Sequence, residues 1–271
     1  MIQGSLEIRQ DETTIIRAPR IAIAVAAHKP YWMPDDSMYI PVQVGAKGRS
    51  DIQGYVRDDQ GKNISVLNSR YCELTALYWA SHNIDADYIG IVHYRRHFKG
   101  SGQRGILTQA EAVALLSRAP IVLPKKRNYF VETLASHYAH TFNQAHLDVL
   151  RAVIAESAPD YLETYDRHLR RRSGHMFNMM IMRSDLLSSY CNWLFPILYA
   201  VEKRIDFSGM TSFESRLMGR LSELLVDVWI GHNHLPYIEC PVKGMERTNW
   251  IKKGGSFLAA KFLGYRYKES F

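Results

Sequence analysis

The apolar run Ile89-Gly90-Ile91-Val92 stops at His93-Tyr94-Arg95-Arg96. Two adjacent arginines beside a histidine and a tyrosine supply forked and single hydrogen-bond donors, a set suited to a diphosphate. The plainer alternative is an ion pair between one arginine and a carboxylate such as Asp87 or Glu73. The arrangement recurs: Ile21 to Ala27 ends at His28-Lys29, and Ala119 to Leu123 ends at Pro124-Lys125-Lys126-Arg127. His28-Lys29 is read either as a phosphate or nucleotide contact or as a surface turn, and the three clusters together gather basic charge where an anionic ligand would lie. Asn63, Ser65, Asn68 and Glu73 lie at or just inside an expected helix start, where free amides bind anions or sugar hydroxyls. Helix capping by Ser65 explains only one of the four.

Two carboxylate features complete the chemistry. Glu223 is flanked by the apolar stripe Leu217, Leu221, Leu224 and Val228. It can serve as general base on a hydroxyl, or pair with Arg216 or Arg220. Asp85-Ala86-Asp87 has the D-x-D form that holds a divalent metal, but it precedes its strand instead of following it. In an open α/β sheet, ligands bind outside the carboxyl ends of the strands, so this pair reads as a solvated turn; no metal ligands are assigned, and a divalent metal stays open as an alternative. Cations at the strand end can neutralise phosphates in a metal's place.

The elements that must position these residues alternate in the first half. Strands are expected at Ile21 to Ala27, Tyr39 to Val44, Tyr88 to Val92 and Ala119 to Leu123; a helix over Leu67 to Asn83; and a polar loop, lid or binding segment, over Gly45 to Asn63. The second half reads as more helical. It has one helix or two over Glu132 to Glu156, a charged helix over Asp160 to Arg172, a helix over Leu186 to Val201 bent at Pro196, and another over Ser212 to Ile230. Short strands are expected at Phe177 to Met182 and, as a last edge strand, Tyr237 to Pro241. The expected fold class is α/β, with a mostly parallel sheet in the first half and a more helical second half.

With 46% hydrophobic and 23% charged residues the 271-residue chain has the composition of a folded globular protein. No apolar run approaches the roughly 20 residues that cross a bilayer, and the start of the chain lacks an export signal's apolar core, so a cytoplasmic location is expected. Cys72, Cys191 and Cys240 are widely spaced and read as reduced, buried thiols. A net charge of +7 favours anionic partners without choosing among them. The tail from Trp250 to Phe271 sets aromatic residues among lysines and arginines; it reads as a helix packed on the domain or as a peripheral contact with the inner face of the cell membrane.

His28-Lys29-Pro30, Gly61-Lys62-Asn63-Ile64-Ser65, Asn68, Tyr71-Cys72-Glu73-Leu74-Thr75, Tyr78-Trp79 and His93-Tyr94-Arg95-Arg96-His97-Phe98 together resemble a bacterial family. The match continues through Leu123-Pro124-Lys125, Tyr138, Asn178-Met179-Met180-Ile181-Met182, Trp193-Leu194-Phe195 and Ser222-Glu223. That family was long catalogued as a domain of unknown function and named for capsular or exopolysaccharide biosynthesis. The resemblance implies a glycosyltransferase with a GT-A-like core, some relatives being galactofuranosyltransferases in O-antigen or capsule synthesis. It departs at Leu224, where relatives tend to carry arginine.

The expected organisation is an extension over 1–19, a single GT-A-like domain over 20–249 divided into a nucleotide-binding half (20–130) and a helical acceptor half (131–249), and the tail 250–271. UDP-sugar is the expected donor, with galactose as the best-fitting sugar and a glycan or lipid-linked glycan as acceptor. His28, Lys29, Asn63, Ser65, Asn68, Glu73, Tyr94, Lys125 and Asn178 are expected to bind the donor or line the cleft. Arg95 and Arg96 with His93 face the diphosphate, and Glu223 deprotonates the acceptor with inversion. Two other classes compete: a non-catalytic carbohydrate-binding partner, and a nucleic-acid-binding protein, which would show strongly salt-dependent oligonucleotide affinity. No nucleic-acid partner is expected.

Overall fold

Strand β1 (Ile21–Ala27) is buried along its whole length. Successive side chains of a strand face opposite sides, and here Ala24 and Ala26 enter one core while Ile21, Ile23, Val25 and Ala27 enter a second. A strand apolar on both faces belongs in the middle of a covered parallel sheet. The computed structural model describes residues 17–246. The expected N-terminal extension up to residue 16 and the whole 250–271 tail lie outside the described residues.

After β1 come β2 (Tyr39–Gln43), β3 (Val56–Arg57), α1 (Asn68–Tyr71), α2 (Leu74–Asn83), β4 (Tyr88–His93) and β5 (Arg96–Phe98). Then follow α3 (Gln109–Leu116), β6 (Ile121–Pro124), β7 (Arg127–Asn128), α4 (Leu134–Thr141), α5 (Gln144–Ser157), α6 (Leu162–Leu169) and β8 (Ser173–Gly174). The chain closes with β9 (Met180–Arg183), α7 (Ser184–Glu202), α8 (Leu217–Ser222), α9 (Val226–His232), β10 (Ile238–Cys240) and β11 (Val242–Gly244). The main sheet has the order β10-β6-β9-β4-β1-β2-β3. Neighbours are parallel except at β9, which runs antiparallel to both β4 and β6. β10 is the edge strand expected at Tyr237 to Pro241. Because β9 and β10 follow residue 131, both halves of the chain contribute to one sheet.

Off this path β5 pairs antiparallel with β4, and β11 with β5. Because β9 runs against β4 and β6, its beginning lies where those two strands end. The segment entering β9 therefore meets the carboxyl ends of β4 and β6. Helices cover both faces, with α2 and α7 packed on β4 over the larger core and α3 on β1 and β6 over the other.

Three expected elements are shifted or broken. The helix expected over Leu67 to Asn83 divides at Cys72, whose φ of 52° and ψ of −129° leave helical space, so Glu73 stands at the head of α2. Asn68 Nδ2 braces the break by donating to Cys72 O at 2.8 Å. The neighbouring Gly45, at φ 60°, has no room for a side chain: a Cβ there would lie 2.6 Å from Asn68 Oδ1. The helix expected over Ser212 to Ile230 becomes α8 and α9, separated by tight turns in which Leu224 and Leu225 donate to Leu221 O and Ser222 O. The strand expected from Phe177 starts only at Met180, because Phe177 and Asn178 take φ 79° and 51°, outside strand geometry.

Candidate active site

The carboxyl ends of β1 and β4 stand side by side, with Ala26 paired to His93. β4 reverses into β5 through a two-residue turn in which His93 pairs with Arg96. Arg95 thus occupies the turn and Arg96 the start of the return strand. Tyr94 is 2% exposed and serves as a hub. His28 packs edge-on at 5.4 Å, the His93 ring lies at 4.4 Å, and the Arg95 guanidinium sits 5.5 Å from the Tyr94 ring centre. His93 accepts from Arg95 N–H at Nδ1, 3.3 Å away. Burial, then the charges of Arg95 and Arg96, pushes His93 down to about 3, so its imidazole is neutral at physiological pH.

These strand ends floor a cleft of about 670 Å³. Its walls come from four distant segments: Arg49 and Asn68 from the loop and helix after β2, Arg127 and Tyr129 after β6, Phe177 before β9, and Arg216, Arg220 and Glu223 from α8 and its flanks. Six arginines therefore surround the space, counting Arg95 and Arg96. Arg96 stacks on the Phe177 ring at 4.8 Å. Arg95 faces Glu246 at 3.7 Å. Arg220 lies between the rings of Phe142 and Phe213 at 4.2 and 4.1 Å. Among the described residues Arg49, Arg127, Arg216 and Arg220 form no ion pair. A cavity so lined concentrates positive potential at its floor.

The cleft walls hold two carboxyl groups, Glu73 and Glu223, both partly exposed to it. Burial and the neighbouring Glu73 push Glu223 up to about 7, against the pull of Arg96. Burial likewise raises Glu73, opposed by a hydrogen bond from Asn178. Two carboxyls held together resist double ionisation and titrate as a pair. Asn178 fixes this geometry from behind: its Nδ2 donates to Glu73 Oε1 at 2.7 Å and Gly219 O at 2.9 Å, and its Oδ1 accepts from Ser222 Oγ at 2.8 Å. The left-handed backbone at Phe177 and Asn178 is what turns both side chains toward the cleft wall, a local strain held by surrounding structure.

Of the thirteen residues expected from sequence, His28, Asn68, Glu73, His93, Arg95, Arg96 and Glu223 line this cleft. Tyr94 and Asn178 stand directly behind it. Asn63 and Ser65 instead tie down the 45–63 loop: Asn63 donates to Asp59 O and Gly61 O, and Ser65 Oγ donates to buried Asp58. Asp58 also accepts Gly45 N–H at 2.8 Å and Ala46 N–H at 3.0 Å, so the segment is pinned while Arg49 reaches the cleft. Lys29 and Lys125 are exposed outside the lining. At the opposite end of β4, Asp85 pairs with Arg20 at 2.6 Å and Asp87 with Arg17 at 3.2 Å, a solvated turn. The residues at the carboxyl end of β4 do not fit a divalent cation: His93 is hemmed by two arginines. Among the described residues no three His, Cys, Asp or Glu side chains converge on a metal position.

Residues 22–234 match the family described as "Domain of unknown function (DUF4422)". The chain belongs to this family. Among solved structures, the apo form of WbbM bifunctional glycosyltransferase is similar at a TM-score of 0.77 and 25% identity, over 84% of this chain and 45% of that one. The chain thus spans less than half the length of that protein. No curated protein matches it. The DUF4422 fold is accordingly GT-A-like, as the resemblance implied. Among the described residues of this family member no helix is long and apolar enough to cross a membrane.

Among the arginines of the cleft in this DUF4422 chain, sequence reading did not single out Arg49, Arg216 and Arg220 as site residues, and it placed Arg127 only within the strand-end basic cluster. For Arg216 and Arg220 a signal was present, since they are one helical turn apart and adjoin Glu223. They were weighed only as its ion-pair partners.

Proposed function

We propose that this chain is a glycosyltransferase that moves a sugar, galactose in furanose or pyranose form being the best fit to the family resemblance, from a UDP-sugar to a glycan or lipid-linked glycan acceptor in surface-polysaccharide synthesis. The observation that carries the proposal is the pairing, in one cleft at the carboxyl ends of the strands, of a six-arginine wall with the two carboxyls Glu73 and Glu223. Family membership and the likeness to a glycosyltransferase support the same reading.

In this reading the diphosphate lies against Arg95 and Arg96, with His28 and Arg49 beside it. As the anomeric carbon–oxygen bond breaks, the bonding electrons leave with the UDP phosphate, and fixed guanidinium groups stabilise that charge without reorganising. The acceptor hydroxyl attacks from the opposite face, forming the new glycosidic bond and giving its proton to Glu223, with inversion. A carboxyl raised to about 7 suits this task, being substantially ionised at neutral pH yet basic enough to take a proton. Glu73, held by Asn178, keeps Glu223 basic. Arg127, Tyr129 and Arg220 line the side on which the acceptor enters.

The test is a thermal-shift screen of nucleotide sugars with and without EDTA, followed by assay of UDP release with the best binder. Stabilisation by UDP and UDP-sugars that survives EDTA, with turnover, is expected. Glycan binding without UDP release would place the chain among non-catalytic partners.

A further inference from the structure

The loop between β7 and α4 carries an apolar pair that the transfer chemistry does not use. Phe130 is 74% exposed and Val131 61%. Single exposed apolar residues are ordinary, but two large ones side by side at a loop tip form a patch that calls for an occupant. The loop is firmly built. Phe130 N–H donates to Asn128 Oδ1 at 2.8 Å, Val131 N–H to Tyr129 O at 2.7 Å and Tyr129 N–H to Arg172 O at 2.8 Å, while the Arg172 guanidinium reaches Phe130 O at 3.3 Å. Phe130 sits at φ 56°, an unfavourable conformation for a bulky side chain. The fold holds that conformation and leaves the ring in solvent.

Arginines flank the tip. β7 pairs with β8, placing Arg127 opposite Gly174, and the chain just before β8 runs beside the loop, with Arg171 O accepting from Leu134 N–H. Arg127, Arg171 and Arg172 are exposed, and among the described residues none forms an ion pair. The loop's own acid, Glu132, is occupied by His137 and His140 at 2.8 Å each. Arg127 and Tyr129 also belong to the cleft wall, so the patch adjoins the cleft.

We propose that this loop docks the chain on an anionic lipid bilayer, Phe130 and Val131 entering the boundary between headgroups and acyl chains while Arg127, Arg171 and Arg172 contact lipid phosphates. Apolar side chains ringed by cations match both layers of such a surface. A nucleic acid offers the phosphates but no apolar layer, and a second copy packed face to face would set arginines against arginines. The benefit, a cleft held where a lipid-linked acceptor is presented, rests on the proposed transferase function; the docking does not.

The experiment is co-sedimentation of the full chain with vesicles of phosphatidylcholine alone or mixed with phosphatidylglycerol. Binding to the mixed vesicles is expected, weakening with salt. Phe130→Ser/Val131→Ser should lose about tenfold or more in partitioning, and Arg171→Gln about fivefold, with melting temperatures unchanged. Phe130→Trp should add blue-shifted emission that brominated lipid quenches. Wild-type partitioning of the serine variant, or an added tryptophan that lipid neither shifts nor quenches, overturns the proposal. So does loss of self-association in the serine variant by analytical ultracentrifugation, which would make a second copy the occupant. The UDP thermal shift of these variants separates a failure of docking from a failure of the transferase reading.

Discussion

The two ends of strand β4 carry opposite charge and treat it in opposite ways. At its start, Asp85 and Asp87 lie in solvent and are each matched by a surface arginine. At its end, His93, Arg95 and Arg96 gather with four further arginines from segments far apart in sequence, around two carboxyls whose protons are held tightly. A charged residue matched at the surface contributes little, because water already screens it. Charge concentrated in a concave site with few counter-charges is held there by the rest of the fold, and that is the signature of a binding surface for an anion.

The contrast can be broken most severely at the carboxyl end. Replacing both Arg95 and Arg96 by alanine should lower kcat for UDP release by about a thousandfold, on the scale seen when preorganised charge is removed from a transition state. Single-turnover kinetics, which separate chemistry from donor binding, check this. Glu223→Gln should lower kcat by about a hundredfold or more with donor-induced stabilisation retained, and kcat/KM in the wild type should rise with pH through about 7 as the Glu223 carboxyl ionises.

The same carboxyl gives a stability prediction. The folded value lies above the ordinary 4.5, so between 4.5 and about 7 the unfolded chain releases this proton while the folded protein keeps it. The contribution is fully present below 4.5 and is lost as pH rises through about 7. A pH series of melting temperatures should therefore decline less steeply across this window in Glu223→Gln than in the wild type.

Asn178→Ala sharpens the comparison from behind the cleft. It removes a donor from Glu73 and takes one of two hydrogen-bond partners from Ser222 Oγ and from Gly219 O, which stay bonded to each other, so denaturant unfolding should show a loss of about 1–3 kcal/mol and kcat should fall more than KM changes. Smallest of all, Asp85→Asn and Asp87→Asn should alter turnover less than about twofold and stability by less than about 1 kcal/mol, measured by the same assays.

Much of the floor was legible in sequence. β1, β4 and β6 announce themselves as apolar runs because each is buried on both faces, and the residues just past the end of such a run in an α/β sheet face the ligand side. The walls were harder to read. The breaks that place Glu73 and Glu223 occur at Cys72 and at Glu223 to Leu225, without a glycine or proline to mark them, since tertiary packing imposes them on sequences that are locally helical. The turn at Phe177 and Asn178 likewise depends on Glu73, Gly219 and Ser222, more than forty residues away on either side. Arg49, Arg216 and Arg220 look like ordinary surface cations in sequence, and only the meeting of distant segments makes them, with Arg127, a wall. The expected roles of Lys29 and Lys125 rested on strand-end position and on the family motif around them, which fix where the backbone arrives but not which side chain enters the cleft.

The most direct measurement is a crystal structure of the chain soaked with UDP. The account predicts both phosphoryl groups within hydrogen-bonding distance of the Arg95 and Arg96 guanidinium groups, with the Glu223 carboxyl open to the acceptor side. A diphosphate seated elsewhere, beyond reach of both arginines, would contradict it.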